Sequence, residues 1–347
     1  MRTLAWLLFS LLLQLTVVQT HAQIPRVFVF TDINIDAGDP DDRQSLVHLF
    51  WYADEVKIEG VFAERSNAGG LEACQLALEA YSKDYKPFGF ARKGFPTPKS
   101  LESVITSDYA TAESLFRTAA SNDESILYLL VWGNMQNVAK LLSENPGLAE
   151  NVRLLTIGTD LLLERDRPHL PESWEKVEPC KQPNWNGKGR NALFEDKRFN
   201  SIWWLEMNWT YAGMFIEPGP SEIYKKFPAY GALGQHMKDV TRNQQWAKYF
   251  RVGDTPTVLY LIDPSNDVDD PTKGSWAGRF RKPFPDQRPN YYADDCGDIE
   301  WNYHNPCETW GNHEAVAAFS KSTLHEQRPD MYDALLKKLH QLYRKSN

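Results

Sequence analysis

The densest group of chemically reactive side chains in this sequence is a run of aspartates near its start. Five aspartates lie within eleven consecutive residues: Asp32, Asp36, Asp39, Asp41 and Asp42. Carboxylates this close repel one another unless a cation compensates their charge, and hard oxygen ligands suit Ca²⁺ or Mg²⁺. Calcium is favoured where about six to eight oxygens converge. A solvated turn rich in Asp, Gly and Pro is the alternative interpretation of this segment.

An EF-hand-like loop is a second alternative for the aspartates. Asp32, Asn34 and Asp36 have the spacing with which such a loop opens. The pattern then fails at two positions, because Ala37 stands where glycine is required and Arg43 stands where the closing glutamate belongs. No incoming helix is predicted before the segment either, so the sequence disfavours an EF-hand.

Predicted strands and helices alternate along the chain around these aspartates. Apolar β-rich runs predict strands at 26–30, 56–62, 126–131, 152–157 and 201–207, and apolar residues at helical spacing predict helices at 45–54, 70–82, 109–119, 137–143, 313–320 and 329–345. Strands separated by helices imply an open, mostly parallel α/β sheet with helices on both faces. We expect one domain over residues 23–347, with long loop regions at 163–200 and 263–312.

Polar segments follow several of the predicted strands, and ligands of open parallel sheets bind beyond the carboxyl ends of the strands. The aspartates follow the first strand, while Val131–Asn137 and Leu205–Asn208 follow or end later ones. Asn312–Ala317 opens a helix after the second long loop. Taken singly, these segments also fit an ordinary asparagine helix cap and, for His313, a structural helix-end histidine.

Together these motifs resemble the nucleoside hydrolases, and more closely their exported relatives, the nucleoside-hydrolase-like domains associated with cellulose-binding proteins. The resemblance covers roughly residues 26–320, and the first strand and aspartate loop are similar to the family's DTDPGxDDA motif. It implies a Rossmann-like sheet of the nucleoside-hydrolase type. About five extra residues separate Asp32 from the Asp41–Asp42 pair, so Asp36 or Asp39 could take a role assigned to Asp32.

The resemblance implies a role for each matching residue. The expected Ca²⁺ ligands are Asp32, Asp41, Asp42, the backbone carbonyl of Gln136, and Glu314, which replaces the family's aspartate and is longer by one methylene. Asp32 is also expected to take a proton from the attacking water, and His313 to protonate or orient the leaving group. Asn134, Glu206 and Asn208 are expected to contact the sugar.

The implied activity is calcium-dependent hydrolysis of an N-glycosidic, ribosyl bond in a small nucleoside or glycoside. The alternative is a non-catalytic or polysaccharide-acting carbohydrate-binding protein of the same fold. Exposed indoles stack on sugar rings, and predicted loops contain Trp174, Trp185, Trp276, Trp301 and Trp310. We expect Trp51, Trp203 and Trp204 to lie in the core.

Several other enzyme classes lack their sequence signatures. A G-x-S-x-G nucleophile elbow is absent, which disfavours a Ser-His-Asp hydrolase of that type. A glycine-rich dinucleotide loop is absent after the first strand, and no convincing Cys-His motif is present. A metal-dependent phosphatase that uses the aspartate loop stays an alternative, although the sequence shows no histidine-rich second metal shell.

The first 22 residues have the pattern of a secretory signal peptide. Arg2 precedes an apolar run from Leu4 to Leu15, and Thr20–Ala22 provides a small-residue cleavage motif. An uncleaved anchor is the alternative; otherwise we expect a secreted or periplasmic protein without a membrane partner. The net charge of −8 disfavours nucleic acid as a partner.

The four cysteines allow three disulfide connectivities in an oxidising compartment. Cys296 and Cys307 lie in one loop-rich segment and are the favoured pair. Cys74 lies in a predicted helix, where it is either a buried thiol or a partner for Cys180.

Overall fold

The computed structural model describes residues 24–35, 40–122, 125–158, 161–162, 182–183, 189–239, 249–299 and 313–344. The strands are β1 Arg26–Thr31, β2 Lys57–Ala63, β3 Ile105–Thr106, β4 Leu127–Val131, β5 Val152–Ile157, β6 Leu161–Leu162, β7 Gln182–Pro183, β8 Trp203–Met207, β9 Phe280–Arg281 and β10 Tyr291–Asp294. The helices are α1 Asp41–Trp51, α2 Gly70–Tyr85, α3 Pro98–Glu102, α4 Tyr109–Ala120, α5 Gln136–Glu144, α6 Arg190–Phe194, α7 Pro220–Tyr224, α8 Gly231–Asp239, α9 Pro256–Ile262, α10 His313–His325 and α11 Arg328–Tyr343.

Eight strands form one sheet, in the order β3-β2-β1-β4-β5-β8-β10-β9. Neighbouring strands in this sheet are parallel, except that β9 runs antiparallel to β10 at one edge. The short strands β6 and β7 pair with each other. The predicted α/β fold with a mostly parallel sheet is therefore confirmed.

The side chains of β1 alternate between two hydrophobic clusters, one on each face of the sheet. Val27 and Val29 pack into a cluster with residues of α1, α2, α9 and α11. Phe28 and Phe30 pack into a second cluster with residues of α4 and α5. Strands buried on both faces read as continuous apolar runs, which is why β1 and β4 are recognisable in the sequence.

The register of the central strands brings their carboxyl ends to one edge. Thr31 pairs with Ala63 of β2, and Phe30 pairs with Val131 of β4. The residues that follow β1, β2 and β4 therefore start from neighbouring positions at this edge, which is where an open parallel sheet places its ligands.

Several parts of the chain differ from the prediction. Helix α1 begins at Asp41 instead of residue 45, with Asp41 and Asp42 in its first turn, where negative charge suits the helix dipole. The predicted loop 263–312 contains β9 and β10. Helix α9 was not predicted because all seven of its residues are buried, so its sequence shows no helical periodicity.

The described cysteines are both buried. Cys74 lies in α2, where burial raises the pKa of its thiol to about 12. Cys296 follows β10, and its proposed partner Cys307 lies outside the described residues, as does Cys180. Both pairings stay predictions.

Within the described ranges, no helix combines the length and hydrophobicity needed to cross a membrane, and the predicted signal peptide lies outside those ranges.

Candidate functional site

A group of three carboxylates lies beside the carboxyl end of β1. Oxygen atoms of Asp41, Asp42 and Asp254 lie within 4.8 Å of one another. Asp41 and Asp42 come from the first turn of α1, and Asp254 lies just before α9. Asp41 and Asp254 are buried, while Asp42 is half-buried. Such a set of hard oxygen donors fits Ca²⁺ or Mg²⁺.

Local contacts hold this carboxylate group in place. The Thr31 hydroxyl at the end of β1 donates to Asp42 Oδ1, and it accepts a bond from the Ile33 N–H at 3.1 Å. Gly253 passes directly against Asp41, since a Cβ added to it would lie 2.9 Å from Asp41 Oδ2. A larger residue at Gly253 would therefore push Asp254 away from Asp41.

The surroundings of Asp42 favour a bound cation. Burial raises the pKa of Asp42 well above its usual range, and the negative charges of Asp32 and Asp41 raise this pKa further. The hydrogen bond from Thr31 acts in the opposite direction. A divalent cation would offset the repulsion and keep the carboxylate ionised, so the residues present fit a metal ion.

Asp32 lies next to the carboxylate group and forms an ion pair at the surface. Its Oδ2 accepts from Arg65 Nη2 at 2.5 Å, and the Arg65 side chain is about half exposed. The negative charge of Asp32 raises the pKa of Asp42, so these two carboxylates are neighbours. The two predicted roles of Asp32, metal ligand and base, stay predictions, and Asp36 and Asp39 lie outside the described residues.

Glu64, which follows β2, is a further carboxylate at this edge that the sequence analysis did not identify. Its Oε1 accepts from Asn137 Nδ2 at 2.8 Å, and its Oε2 is buried without a hydrogen-bond partner among the described residues. Burial raises the pKa of Glu64 to about 8, and the charge of Asp32 acts in the same direction. Gly133 leaves the necessary space, because a Cβ there would lie 2.6 Å from Oε2.

The segment after β4 places Asn134 and Gln136 at the start of α5. Asn134 Oδ1 accepts from the Gln136 N–H at 2.9 Å, but the N-cap of α5 is Met135 and not the asparagine. Its amide nitrogen is a potential donor to a sugar. Gly189 packs tightly against the Gln136 backbone. A metal contact by the Gln136 carbonyl and a sugar contact by Asn134 stay predictions.

Glu206, predicted to bind a sugar hydroxyl, is completely buried in an ion pair. Arg190 donates to its two carboxylate oxygens at 2.6 and 2.8 Å, and the Tyr291 hydroxyl also donates to Oε2. Asn208 is buried too, at the end of β8. Sugar contacts by Glu206 and Asn208 stay predictions, and Glu206 would have to exchange a protein partner for the sugar.

The last predicted site residues open helix α10. The structure describes the backbone of His313 and Glu314, and their side chains lie outside the description. Among the described residues, the carboxylate group includes Asp254, which the sequence did not predict. One signal could have identified it: Gly253-Asp254-Thr255-Pro256 places an acidic residue directly before a helix that begins with proline.

A carboxylate group that fits a cation lies at the carboxyl edge of a mostly parallel sheet. Residues 26–280 match the family described as "Cellulose-binding Sde182, nucleoside hydrolase-like domain", and the chain belongs to this family. This confirms the resemblance seen in the sequence. The match includes Asp254 and ends before His313. The comparison with curated proteins gave no match.

Several solved structures are similar to this chain at low sequence identity. A nucleoside hydrolase-related hypothetical protein from Saccharophagus degradans, associated with carbohydrate metabolism, has 18% identity and a TM-score of 0.60, covering 93% of this chain and 73% of its own. An inosine-uridine preferring nucleoside hydrolase from Bacillus anthracis has 14% identity and a TM-score of 0.43, covering 68% and 81%. The effector XopQ complexed with adenosine diphosphate ribose has 13% identity and a TM-score of 0.47, covering 87% and 95%.

Proposed function

We propose that the protein is a secreted or periplasmic, calcium-dependent hydrolase that cleaves an N-glycosidic bond of a nucleoside-like substrate. The observation that carries this proposal is the convergence of Asp41, Asp42 and Asp254 beside Asp32 at the carboxyl edge of the sheet. Family membership supports it through the nucleoside hydrolase-like fold. The predicted signal peptide is the reason for proposing a secreted or periplasmic location.

The carboxylates would have two different roles, metal binding and proton transfer. Asp41, Asp42 and Asp254 would hold Ca²⁺, which when bound supplies a template for a water molecule and for vicinal sugar hydroxyls. Asp32 would take a proton from the water whose oxygen forms the new bond to the anomeric carbon. The bond from that carbon to the base nitrogen breaks, and the base leaves with a proton, which we assign to His313.

A second candidate function is carbohydrate binding without catalysis. The description of the family as cellulose-binding favours it. The contacts of Glu206 with Arg190 and Tyr291 also favour it, because they occupy a carboxylate that the hydrolase would use to bind the sugar.

The described tryptophans differ in burial. Trp276 is partly buried against the core. Among the other tryptophans, Trp51 and Trp204 lie in the core as expected, whereas Trp203 is only partly buried.

Four of the tryptophans proposed for sugar stacking lie outside the described residues: Trp174, Trp185, Trp301 and Trp310. Their role in sugar binding is therefore a matter for experiment.

The deciding experiment measures release of free base from inosine and uridine by residues 23–347, with Ca²⁺ and with EDTA, alongside pelleting with cellulose. The proposal predicts turnover that EDTA abolishes and that Asp42→Asn reduces by at least 100-fold. Asp330→Asn, at an exposed position near the start of α11, serves as the charge-matched control. Cellulose binding without turnover by the wild type would replace the hydrolase with the binding function.

A further inference from the structure

Gln44 connects helix α1 to the chain segment that carries Asp254. It is completely buried two residues after Asp42. Its Nε2 donates to the carbonyl oxygens of Met237 and Tyr249, at 3.5 and 3.2 Å. Its Oε1 accepts from the Arg251 N–H at 2.6 Å. One side chain of α1 therefore bonds the backbone on both sides of residues 240–248, which lie outside the description.

Packing contacts hold the same segment against the core from the other directions. The Phe250 ring lies 4.8 Å from that of Phe227 and 6.1 Å from the His48 ring, measured between centroids. The Arg251 guanidinium lies 4.1 Å from the centre of the Phe215 ring. These contacts are apolar or cation–π in kind, and the Phe250 N–H also donates to the Pro220 carbonyl oxygen at 3.1 Å. Gln44 adds the hydrogen bonds that tie the segment to α1.

The carboxylate group requires this segment to be placed accurately. Asp254 follows Arg251 by three residues, and Gly253 already approaches Asp41 closely enough that an added Cβ would lie 2.9 Å from its Oδ2. Calcium–oxygen distances fall within about 2.3–2.6 Å. A shift of the segment by about 1 Å would therefore separate Asp254 from the two aspartates of α1.

We propose that Gln44 is a positioning residue for the cation site, fixing residues 249–254 so that Asp254 converges with Asp41 and Asp42. The inference rests on the proposed function, because it assumes that the carboxylates hold a cation. Helix α1 then contributes to the site in two ways. It supplies Asp41 and Asp42 as ligands, and its Gln44 positions the segment that carries Asp254. Since coupling is reciprocal, cation binding must in turn stabilise the bond between Gln44 and Arg251.

The test combines amide hydrogen exchange with calcium calorimetry. In the wild type, Ca²⁺ is expected to slow exchange of the Arg251 amide at least tenfold. The Thr111 amide, which donates to Asp108 Oδ2 at the start of α4, is expected to be unaffected. Gln44→Met keeps the side-chain length but removes all three bonds. We expect it to weaken Ca²⁺ binding at least tenfold and to abolish the calcium-dependent change at Arg251.

Gln235→Met is the matched control, because Gln235 lies on α8 and its amide donates only to Pro228 among the bonds described. It should bind Ca²⁺ like the wild type. Equal Ca²⁺ affinity of Gln44→Met and wild type would overturn the inference and leave the cation site intact, even if the variant unfolds at lower temperature. Absence of Ca²⁺ binding by the wild type would instead overturn the cation site itself, and the inference with it.

If Gln44→Met does not fold, hydrogen exchange of the Arg251 amide in the wild type, with and without Ca²⁺, tests the inference. Unchanged Arg251 exchange in a protein that binds Ca²⁺ overturns the coupling, and slowed exchange supports it.

Discussion

Two carboxylates near the carboxyl edge of the sheet have opposite surroundings. Glu206 near the end of β8 is completely buried, and Arg190 and Tyr291 donate to its oxygens. Asp42 lies beside Asp32 and Asp41, whose negative charges raise its pKa together with burial. The first carboxylate is balanced by the protein's own arginine. The second lies among like charges and would gain from a cation supplied from solution, which is the expected difference between a structural and a ligand-binding acid.

The largest expected effect of a substitution concerns the balanced carboxylate. Glu206→Ala leaves the buried Arg190 without its bidentate partner, so we expect the free energy of unfolding to fall by about 3–5 kcal/mol. Urea denaturation measures this change. The double variant Glu206→Leu with Arg190→Met removes both charges and should recover most of the loss. A loss below about 1 kcal/mol for the single variant would show that this pair is not structural.

Replacing Asp42 should not lower the free energy of unfolding in the absence of metal, in contrast to the replacement of Glu206. In EDTA, Asp42→Asn takes away a charge that burial and two neighbouring carboxylates disfavour, so stability should stay unchanged or rise by about 1 kcal/mol. Calcium at 100 times its Kd should stabilise the wild type by about 2.7 kcal/mol and leave the variant unchanged. Thermal unfolding with and without Ca²⁺ checks both statements. A variant that Ca²⁺ stabilises as much as it does the wild type would contradict them.

These two regions also show how far the sequence could predict the site. The strands β1, β4 and β5 and the clustered aspartates are local patterns, and the structure has them close to where the sequence predicts. Asp254 enters from more than 200 residues away, before a helix with no amphipathic spacing. The pairing of Arg190 with Glu206 likewise depends on tertiary contact, which residue spacing cannot reveal.

Glu64 is expected to make stability depend on pH, with a change per pH unit that is smaller than the stabilisation expected from Ca²⁺. The pKa of Glu64 is about 8 in the folded protein, against about 4.3 in the unfolded chain. The folded state therefore binds more protons between these values, and stability should fall as pH rises from 5 to 8. One proton gives at most about 1.4 kcal/mol per pH unit.

Urea unfolding in EDTA across this range tests the Glu64 effect. Glu64→Gln should flatten the profile, with a remaining slope of the same sign from Asp42, whereas the exposed control Glu102→Gln should leave the profile unchanged. A wild-type protein whose stability rises across this range would contradict the assignment.

The smallest effect concerns the ion pair of Arg65 with Asp32. Because the Arg65 side chain is about half exposed, Arg65→Ala should change the free energy of unfolding by less than about 1 kcal/mol. Loss of a positive charge next to the carboxylates should nevertheless tighten Ca²⁺ binding severalfold, measured by calorimetry at low salt. Lys57→Ala, which removes an exposed lysine paired with Glu59, provides the control. Weaker Ca²⁺ binding by Arg65→Ala would mean that the ion pair supports the site.

The most direct test of the contrast between the two regions is a crystal structure of the protein grown with Ca²⁺, with the ion located by anomalous scattering. The account predicts one calcium peak bonded to oxygens of Asp41, Asp42 and Asp254 at about 2.3–2.6 Å, with Arg190 still paired with Glu206. Absence of a peak at the three aspartates under saturating Ca²⁺, or a peak at Glu206 that displaces Arg190, would contradict it.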